Sequence, residues 1–365
     1  MVKHIAELTI ETFRGITEMN IKDLGDVNIF VGDNNSGKTS VLEAIQILSD
    51  PCAYNLILTA RQRERYGTLI FSSGLNRLDS FMYLFNDYPA ATKSARYSMR
   101  LGANIYNQNC DMTVTGSLAM QLINWDELLK DDELIGVSDK KYIAKETETL
   151  TFVGDLRLTS FDNRTEMLCI NEYSPSILRH TENPIFSAQM INPMEHNSFR
   201  YIFNNKDARE QAVRLLKEFE PDIADLRYLE NEMGRAVPIV ETKHKSIPLS
   251  VYGDGMKKAM LMLNAIISAQ SGVVLVDEFE AAIHTSAMGK VFAFILDAAK
   301  KKGVQLFLTT HSIEAVDKLL ENSGSELERI RLIRLKNKDG KFYVKVTSGM
   351  EARELREQFE MEMRI

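Results

Sequence analysis

Three short and almost uninterrupted apolar runs stand out in the hydrophobic pattern of the chain. They cover residues 27–31, 273–276 and 304–308, and polar residues follow each of them directly. Apolar runs of this length without alternation are typical of strands that are buried on both faces of a parallel sheet. The pattern therefore predicts an α/β fold whose buried strands lie in a parallel arrangement, with ligands bound at the carboxyl ends of the strands.

The middle of the chain has a different pattern. Residues 95–120 and 148–170 alternate apolar and polar side chains, as half-buried strands do, and we expect turns at Gly102, Gly116 and Gly154. This alternation predicts a β-rich lobe. Sustained heptads are absent from the sequence, so no long coiled coil is expected.

Spacing along the chain indicates an insertion. Residues 38 and 277 are separated by 239 positions, which is far more than one strand–helix crossover needs. We predict a discontinuous head formed by residues 1–50 and 205–365, with an inserted β-rich and helical subdomain at residues 51–204. A hairpin at Asn337-Lys338-Asp339-Gly340 and a charged helix are expected near the end of the chain.

The most specific motif follows the first apolar run. Gly32-Asp33-Asn34-Asn35-Ser36-Gly37-Lys38-Thr39 is a complete G-x-x-x-x-G-K-[ST] phosphate-binding loop, and a helical pattern follows it. Its backbone N–H groups and the helix N-terminus suit phosphate, its lysine supplies a positive charge, and its threonine hydroxyl suits Mg²⁺. The alternative is a turn that carries a lysine by chance. The predicted nucleotide-binding residues here are Gly32, Asn34, Asn35, Ser36, Gly37, Lys38, Thr39 and Ser40.

Two carboxylates end the second apolar run. Asp277 is predicted to bind Mg²⁺ together with Thr39, and Glu278 to orient or deprotonate the attacking water. The pair could instead cap a helix. His311 follows the third run and is a candidate catalytic group that would contact the terminal phosphate or the water, although a lone histidine is more often structural.

The composition of the chain limits its possible partners and its location. The 365 residues carry 44 basic and 51 acidic side chains, a net charge of −7, which argues against a surface built for non-specific nucleic-acid binding. The clusters Arg61/Arg63/Arg65 and Arg329/Arg331/Arg334 leave a local DNA site open. The sequence contains no apolar stretch of membrane-spanning length, and its three isolated cysteines form no disulfide framework, so a cytoplasmic protein is expected.

These motifs together resemble the ABC-type ATPase heads of the structural-maintenance-of-chromosomes (SMC), RecF and overcoming-lysogenization-defect (OLD) group. Leu8-Thr9-Ile10-Glu11-Thr12-Phe13-Arg14-Gly15-Ile16 is similar to the first strand of the group, and the loop at residues 32–39 is close to its G-x-N-N-x-G-K-[ST] form. The resemblance implies a P-loop ABC-type ATPase head with a mixed central sheet and an antiparallel β lobe, and it implies ATP and Mg²⁺ as ligands. It places Arg14 near the nucleotide, Asp277 and Glu278 as the Walker B pair, and His311 as the switch histidine.

A further segment resembles the signature motif of this group, which contacts the nucleotide bound by a second head. It reads Tyr252-Gly253-Asp254-Gly255-Met256-Lys257-Lys258 and precedes a helix expected at about residues 256–269. Gly253 stands where many members have serine. A plain capping turn is the alternative. The residues predicted to contact the partner's nucleotide are Ser250, Gly253, Asp254 and Gly255.

The resemblance also implies function. It indicates a Mg²⁺-dependent ATPase that works as a homodimer, with higher oligomers left open. OLD-family nucleases carry a C-terminal Toprim domain, for which this sequence leaves no room, so we expect control of a separately encoded effector such as a nuclease or toxin in bacterial anti-phage defence. His284 matches a histidine of OLD-like members and could reach a partner or bond locally. The alternatives are a RecF-like DNA-binding ATPase in repair and a nucleotide sensor that does not hydrolyse.

Overall fold

The structure is a computed structural model that describes residues 4–63, 76–89, 96–124, 146–159, 161, 163–173, 184–191, 199–230, 236–269 and 271–359. The strands are β1 (Ile5–Phe13), β2 (Ile16–Ile21), β3 (Val27–Val31), β4 (Arg96–Ile105), β5 (Gln108–Asn124), β6 (Glu146–Thr159), β7 (Thr165–Asn171), β8 (Ala188–Ile191), β9 (Ile223–Glu230), β10 (Ala236–Thr242), β11 (Ser246–Pro248), β12 (Val273–Val276), β13 (Gln305–Thr310), β14 (Ile330–Lys338) and β15 (Lys341–Ser348). The helices are α1 (Lys38–Ser49), α2 (Ala53–Gln62), α3 (Arg77–Met82), α4 (Arg200–Asn204), α5 (Lys206–Leu216), α6 (Asp254–Ser268), α7 (Thr285–Lys302), α8 (Ile313–Glu321) and α9 (Gly349–Phe359).

A six-stranded sheet carries the three predicted apolar runs. Its order is β15-β14-β3-β13-β12-β8, and all neighbours are parallel except the β14–β15 hairpin. Every residue of β3, β12 and β13 is buried. Because these three strands are adjacent and parallel, the residues that follow them meet at one edge of the sheet. This arrangement and the hairpin are as predicted.

Two hydrophobic cores flank this sheet. Ile29, Val274 and Leu306 face a core shared with helices α5 to α8. Phe30 and Phe307 point the other way, into a core shared with α1 and the antiparallel lobe, where their rings lie 6.3 Å apart. Burial on both faces explains why these strands lack polar alternation.

The antiparallel lobe is a second sheet with the order β2-β1-β4-β5-β6-β7. Its first two strands come from the N-terminus and the other four from residues 96–171, so β4 pairs with β1 across the predicted domain boundary at residue 50. β8, at residues 188–191, lies in the parallel sheet. The domain division at residues 50 and 205 stays a prediction. The structure adds that the insertion contributes strands to both sheets of the head. A third sheet, β11-β10-β9, completes the fold.

The turns predicted at three glycines are wrong. Gly102, Gly116 and Gly154 lie inside β4, β5 and β6, and Gly116 pairs directly with Gly154. A side chain is excluded there: a Cβ at Gly116 would lie 2.5 Å from the Phe152 ring, and one at Gly154 would lie 2.2 Å from the Thr115 carbonyl oxygen. These glycines permit close strand packing, which sequence patterns do not separate from a turn.

The remaining expectations concern the helices and cysteines. The signature helix begins at Asp254, two residues earlier than expected. The described part of the chain shows no long coiled coil, and none of its helices is long and apolar enough to cross a membrane. Cys52 and Cys110 are buried, whereas Cys169 is exposed on β7.

Candidate nucleotide site

The loop between β3 and α1 has the backbone conformation of a phosphate cradle. Gly32 and Gly37 have φ values of 151° and 92°, which side chains rarely tolerate, and Asn35 lies at 64°. A Cβ on Gly32 would lie 2.2 Å from the Leu335 carbonyl oxygen. α1 begins at Lys38 with no side chain capping its N-terminus, so its first N–H groups are left for an anion.

Lys38 lies within this loop. Its Nζ donates to the carbonyl oxygens of Gly32 and Asp33 at 2.8 and 2.9 Å and lies 3.4 Å from Ser36 Oγ and from His311 Nδ1. Burial lowers the pKa of Lys38, an effect opposed first by Asp277. A buried cation that is held by neutral carbonyls can move to phosphate oxygens, which are stronger acceptors for it.

Asp277 is the centre of the predicted metal site. Its carboxylate accepts from Thr39 Oγ1 at 3.1 and 3.3 Å, and from Thr309 Oγ1 at 2.5 Å. A hydroxyl of α1 and a carboxylate 238 positions further along the chain therefore meet, as the motif spacing predicts. Thr309 is a contact that the sequence analysis missed. Its position, directly after the third apolar run and two residues before His311, was the available signal.

Glu278 and His311 face each other at the same edge. His311 Nε2 lies 4.0 Å from Glu278 Oε1, while its Nδ1 points to Lys38. Glu278 has a φ of 47°, a conformation that costs free energy in a residue other than glycine and is concentrated at functional sites. The structure thus brings together all four motif groups: the loop lysine, the two carboxylates and the histidine.

A second buried lysine adjoins the site, and the sequence analysis missed its role. Lys258 lies on α6, is 4% exposed, and donates from Nζ to the Asp277 carbonyl oxygen at 3.1 Å. Burial lowers its pKa to about 8, against the attraction of Asp277, Glu280 and Glu278. A lysine inside an apolar helix face was the sequence signal for this contact.

The signature turn lies on the surface. Ser250, Gly253 and Asp254 are exposed, and Val251 between them is 70% exposed. Gly253 caps α6 with its backbone alone, and a Cβ added there would meet no atom within 4 Å. An uncapped helix N-terminus beside an exposed apolar side chain suits contact with another molecule.

Gly255 lies in a different environment from Gly253. Gly255 is buried, and a Cβ there would lie 2.5 Å from the Ala282 carbonyl oxygen of the same chain. Its lack of a side chain therefore permits close packing of α6 against the segment after Glu278. Contact of its N–H group with a partner's nucleotide stays a prediction.

Arg14 contacts α1. Its guanidinium Nε lies 2.7 Å from Glu43 Oε2, and burial lowers its pKa to about 10. Arg63 binds the same carboxylate and donates to Ser40 Oγ at 2.9 Å. The predicted proximity of Arg14 to the nucleotide stays a prediction, and Arg63 is the arginine in contact with the first turn of α1.

His284 bonds locally. It is the N-cap of α7, where Nδ1 accepts from the Ser286 N–H at 3.3 Å and lies 2.8 Å from Ser286 Oγ. The position of His284 in this chain agrees with the alternative of a local hydrogen bond, and a role across an interface stays a prediction.

The residues present fit ATP and Mg²⁺. The glycine loop leaves room that any side chain at Gly32 would fill, and the Lys38 ammonium group donates to neutral carbonyl oxygens of the loop that phosphate oxygens can replace. Among the described residues, no cluster of three or more histidine, cysteine, aspartate or glutamate side chains could hold a metal by itself. Thr39 and Asp277 would supply two positions, and phosphate and water would supply the others, as Mg²⁺ prefers.

Comparison with known proteins finds family matches for both halves of this site. Residues 4–143 match a family described as "AAA ATPase domain", and residues 169–317 match one described as "AAA domain, putative AbiEii toxin, Type IV TA system". The first match contains the phosphate loop. The second contains Asp277, Glu278 and His311.

Individual relatives cover most of the chain. An ATP/GTP phosphatase of Helicobacter pylori is 23% identical over 86% of each chain. The DNA replication and repair protein RecF of Acinetobacter baylyi is 23% identical over 87% of this chain and 94% of its own. Among solved structures, an Smc head bound to the C-winged helix domain of ScpA covers 96% of this chain and 100% of its own, with 12% identity and a TM-score of 0.49.

A phosphate loop and paired carboxylates at adjacent parallel strands, together with these sequence matches, define a nucleotide-hydrolysing enzyme. The chain is an ATPase, its two matched segments fall in AAA ATPase domain families, and it is similar over most of its length to an ATP/GTP phosphatase and to RecF.

Proposed function

We propose that this ATPase works as a nucleotide-gated dimer of heads that controls a separately encoded effector. The observation that carries the dimer is the signature turn. Gly253 leaves a helix N-terminus open at the surface, next to Val251, which is 70% exposed. An anion-binding helix end that faces outward suits the phosphate held by a second copy.

Each residue of the site has a place in the proposed reaction. Lys38 and the N–H groups of the loop bind the β- and γ-phosphates, and Thr39 and Asp277 hold Mg²⁺. The metal ion, when bound, neutralises charge on the phosphate oxygens. Glu278 accepts a proton from water as the water oxygen bonds to the γ-phosphorus and the bond to ADP breaks. His311, between Lys38 and Glu278, donates a hydrogen bond to the γ-phosphate or the water.

The proposed cycle follows from where these groups lie. ATP held by one head stabilises closure with the other head. Hydrolysis removes the γ-phosphate that the two heads share, and the dimer then opens. An effector that binds only the closed dimer would then be switched by the nucleotide. The proposed setting is bacterial anti-phage defence in the cytoplasm, with a nuclease or toxin as effector, and the toxin–antitoxin family description over residues 169–317 supports it.

The dimer is tested by a charged side chain at the signature turn. Gly253→Glu places a carboxylate in open space, so the chain's own fold and phosphate loop stay intact. We expect ATP binding within about threefold of the native value but no ATP-dependent dimer and little hydrolysis, because the carboxylate repels the partner's γ-phosphate. Calorimetry, light scattering and phosphate release measure these three properties.

Gly253→Ser is the matched control. Gly253 has φ and ψ of −61° and 152°, which serine adopts at helix N-caps, so this variant should keep both dimer and activity. The two-headed mechanism is wrong if Gly253→Glu hydrolyses ATP as a monomer at the native rate.

The effector is tested by co-expression with the product of the adjacent gene. A hydrolysis-deficient Glu278→Gln head with ATP should retain that product on purification, and a Lys38→Ala head should not. Retention by both heads alike would contradict control by nucleotide.

A RecF-like DNA-binding ATPase is the second candidate, and the RecF matches over 87% of the chain favour it. Three arginines of the predicted basic clusters are already paired: Arg63 with Glu43, Arg329 with Asp26, and Arg331 with Asp23, at 2.7, 2.7 and 2.8 Å. Arg65 lies outside the described residues. Paired arginines have less charge to offer DNA phosphates, which supports the effector switch.

Salt dependence distinguishes the two candidates. We expect duplex DNA to bind weakly and with little effect of ATP, given the net charge of −7. A RecF-like head would instead bind in an ATP-dependent way, with log K falling by about 0.9 per neutralised phosphate for each unit of log salt. Fluorescence anisotropy between about 50 and 200 mM salt measures this slope.

A further inference from the structure

The peptide bond between Asp277 and Glu278 is held on both sides by side chains. The Glu278 N–H donates to Thr309 Oγ1 at 2.9 Å, and the Asp277 carbonyl oxygen accepts from Lys258 Nζ at 3.1 Å. The neighbouring N–H groups bond to the main chain instead: that of Asp277 to the Ile191 carbonyl, and that of Phe279 to the Thr309 carbonyl. The sheet thus fixes the flanking peptides, and two side chains fix this one.

This peptide determines where the Glu278 carboxylate points. The angle φ of Glu278 is the rotation about its N–Cα bond, and it sets the direction of the side chain relative to this peptide plane. Its value is 47°. Such a conformation is disfavoured for glutamate by sterics and persists only where surrounding contacts enforce it. Loss of either hydrogen bond would allow the plane to rotate towards ordinary φ values and carry the carboxylate away from His311.

Holding a carbonyl group with the buried ammonium group of Lys258 costs free energy. It is 4% exposed on a helix whose neighbouring residues Ala259, Met260 and Met262 are apolar and buried. Burial of an ammonium group is unfavourable unless hydrogen bonds and opposite charges compensate. The compensation here is the Asp277 carbonyl and the charges of Asp277, Glu280 and Glu278, which lower the cost of the buried cation.

The helix that carries Lys258 also carries the signature turn. α6 begins at Asp254, and Gly255 in its first turn packs against the Ala282 carbonyl oxygen, just beyond Glu278. We propose that Lys258 is a positioning residue for hydrolysis, which holds the Asp277–Glu278 peptide from the signature helix and so aims the Glu278 carboxylate at the attacking water. This role rests on the proposed function of Glu278 as the base.

A double-mutant cycle tests the proposal. Lys258→Met keeps the buried aliphatic stem and removes the donor, and Glu278→Gln removes the base. We expect Lys258→Met to lower kcat at least about tenfold with ATP affinity within about threefold, since the phosphate loop is untouched. In the Glu278→Gln background the same change should cost less than about twofold, because residues that act through one group are not additive. Single-turnover phosphate release measures all four proteins.

Two controls accompany the cycle. Lys258→Arg retains a cationic donor and should recover most of the lost kcat. Lys290→Met makes the same exchange on α7, at a lysine that is 71% exposed, and should leave kcat unchanged. If Lys258→Met does not fold, Lys258→Gln replaces it in the cycle, since it keeps a polar end and is too short to reach the carbonyl with the lysine's geometry.

The possible failures are distinct. Equal losses from Lys258→Met in both backgrounds, or a lower melting temperature with native kcat, would show a structural role and overturn the proposal while the base assignment stands. Native turnover by Glu278→Gln alone would instead overturn the base assignment, and the positioning role with it.

Discussion

Lys38→Ala is expected to abolish ATP binding at ordinary concentrations. The Lys38 ammonium lies 2.8 and 2.9 Å from two carbonyl oxygens of the phosphate loop, where a bound phosphate would replace them as acceptor. Two hydrogen bonds to charged groups contribute about 1.5–3 kcal/mol each, so their loss weakens binding by roughly 10²–10⁴-fold. The acidic groups Asp277, Glu278 and Glu280 would then repel the nucleotide without a compensating cation in the loop. Isothermal titration calorimetry measures the change.

The variant should remain folded, because Lys38 is a buried cation whose removal relieves a desolvation cost. Thermal unfolding checks this point. Lys301→Ala, at an exposed lysine paired with Asp297 on α7, is the control and should bind ATP normally. Tight ATP binding by Lys38→Ala in a folded protein would refute the assignment of residues 32–39 as the phosphate loop.

The sequence predicted those parts of the site whose chemistry depends on short motifs beside buried strands. The loop at residues 32–39, the carboxylates after β12 and the histidine after β13 could be placed together because parallel strands end at one edge of a sheet. The distances in the structure agree with this prediction: Thr39 Oγ1 lies 3.1 Å from Asp277 Oδ2, and His311 Nε2 lies 4.0 Å from Glu278 Oε1. Local residue pattern and general topology were sufficient here.

Contacts that depend on pairing over long distances in the chain could not be predicted. The alternating pattern of β4 does not reveal that β1 is its neighbour, because alternation indicates only that one face is buried. Gly116 and Gly154 look like turn residues until their strands are seen to pair. Lys258 is similar: its position on α6 was predictable, but the carbonyl that it holds lies 19 positions away, on another element.

Gly253 and Gly255 show the same difficulty within one motif. In the sequence they are two equivalent flexible residues before a predicted helix. In the structure a side chain at Gly253 would enter open space, whereas one at Gly255 would collide with the chain's own backbone at Ala282. Only packing separates the glycine suited to a partner from the one required by the fold.

Glu278→Gln is expected to separate binding from chemistry. The amide is nearly isosteric with the carboxylate, and the hydrogen bonds that fix the backbone, from Glu278 N–H to Thr309 and from Lys258 to the Asp277 carbonyl, do not involve the side chain. ATP should therefore bind as in the native protein. Hydrolysis should fall by roughly 10²–10⁴-fold, the scale for loss of a positioned base. Because the closed state would no longer decay through hydrolysis, the ATP dimer should live longer.

Glu280→Gln is the matched control, two residues further along the same segment. Glu280 Oε1 accepts from the His311 N–H at 3.4 Å, so this carboxylate contacts the backbone of the histidine, whereas Glu278 faces its imidazole ring. It should reduce turnover less than about tenfold. Single-turnover phosphate release and light scattering decide between the two carboxylates: native turnover by Glu278→Gln together with a large loss in Glu280→Gln would make Glu280 the base, and the left-handed conformation of Glu278 would then need another explanation.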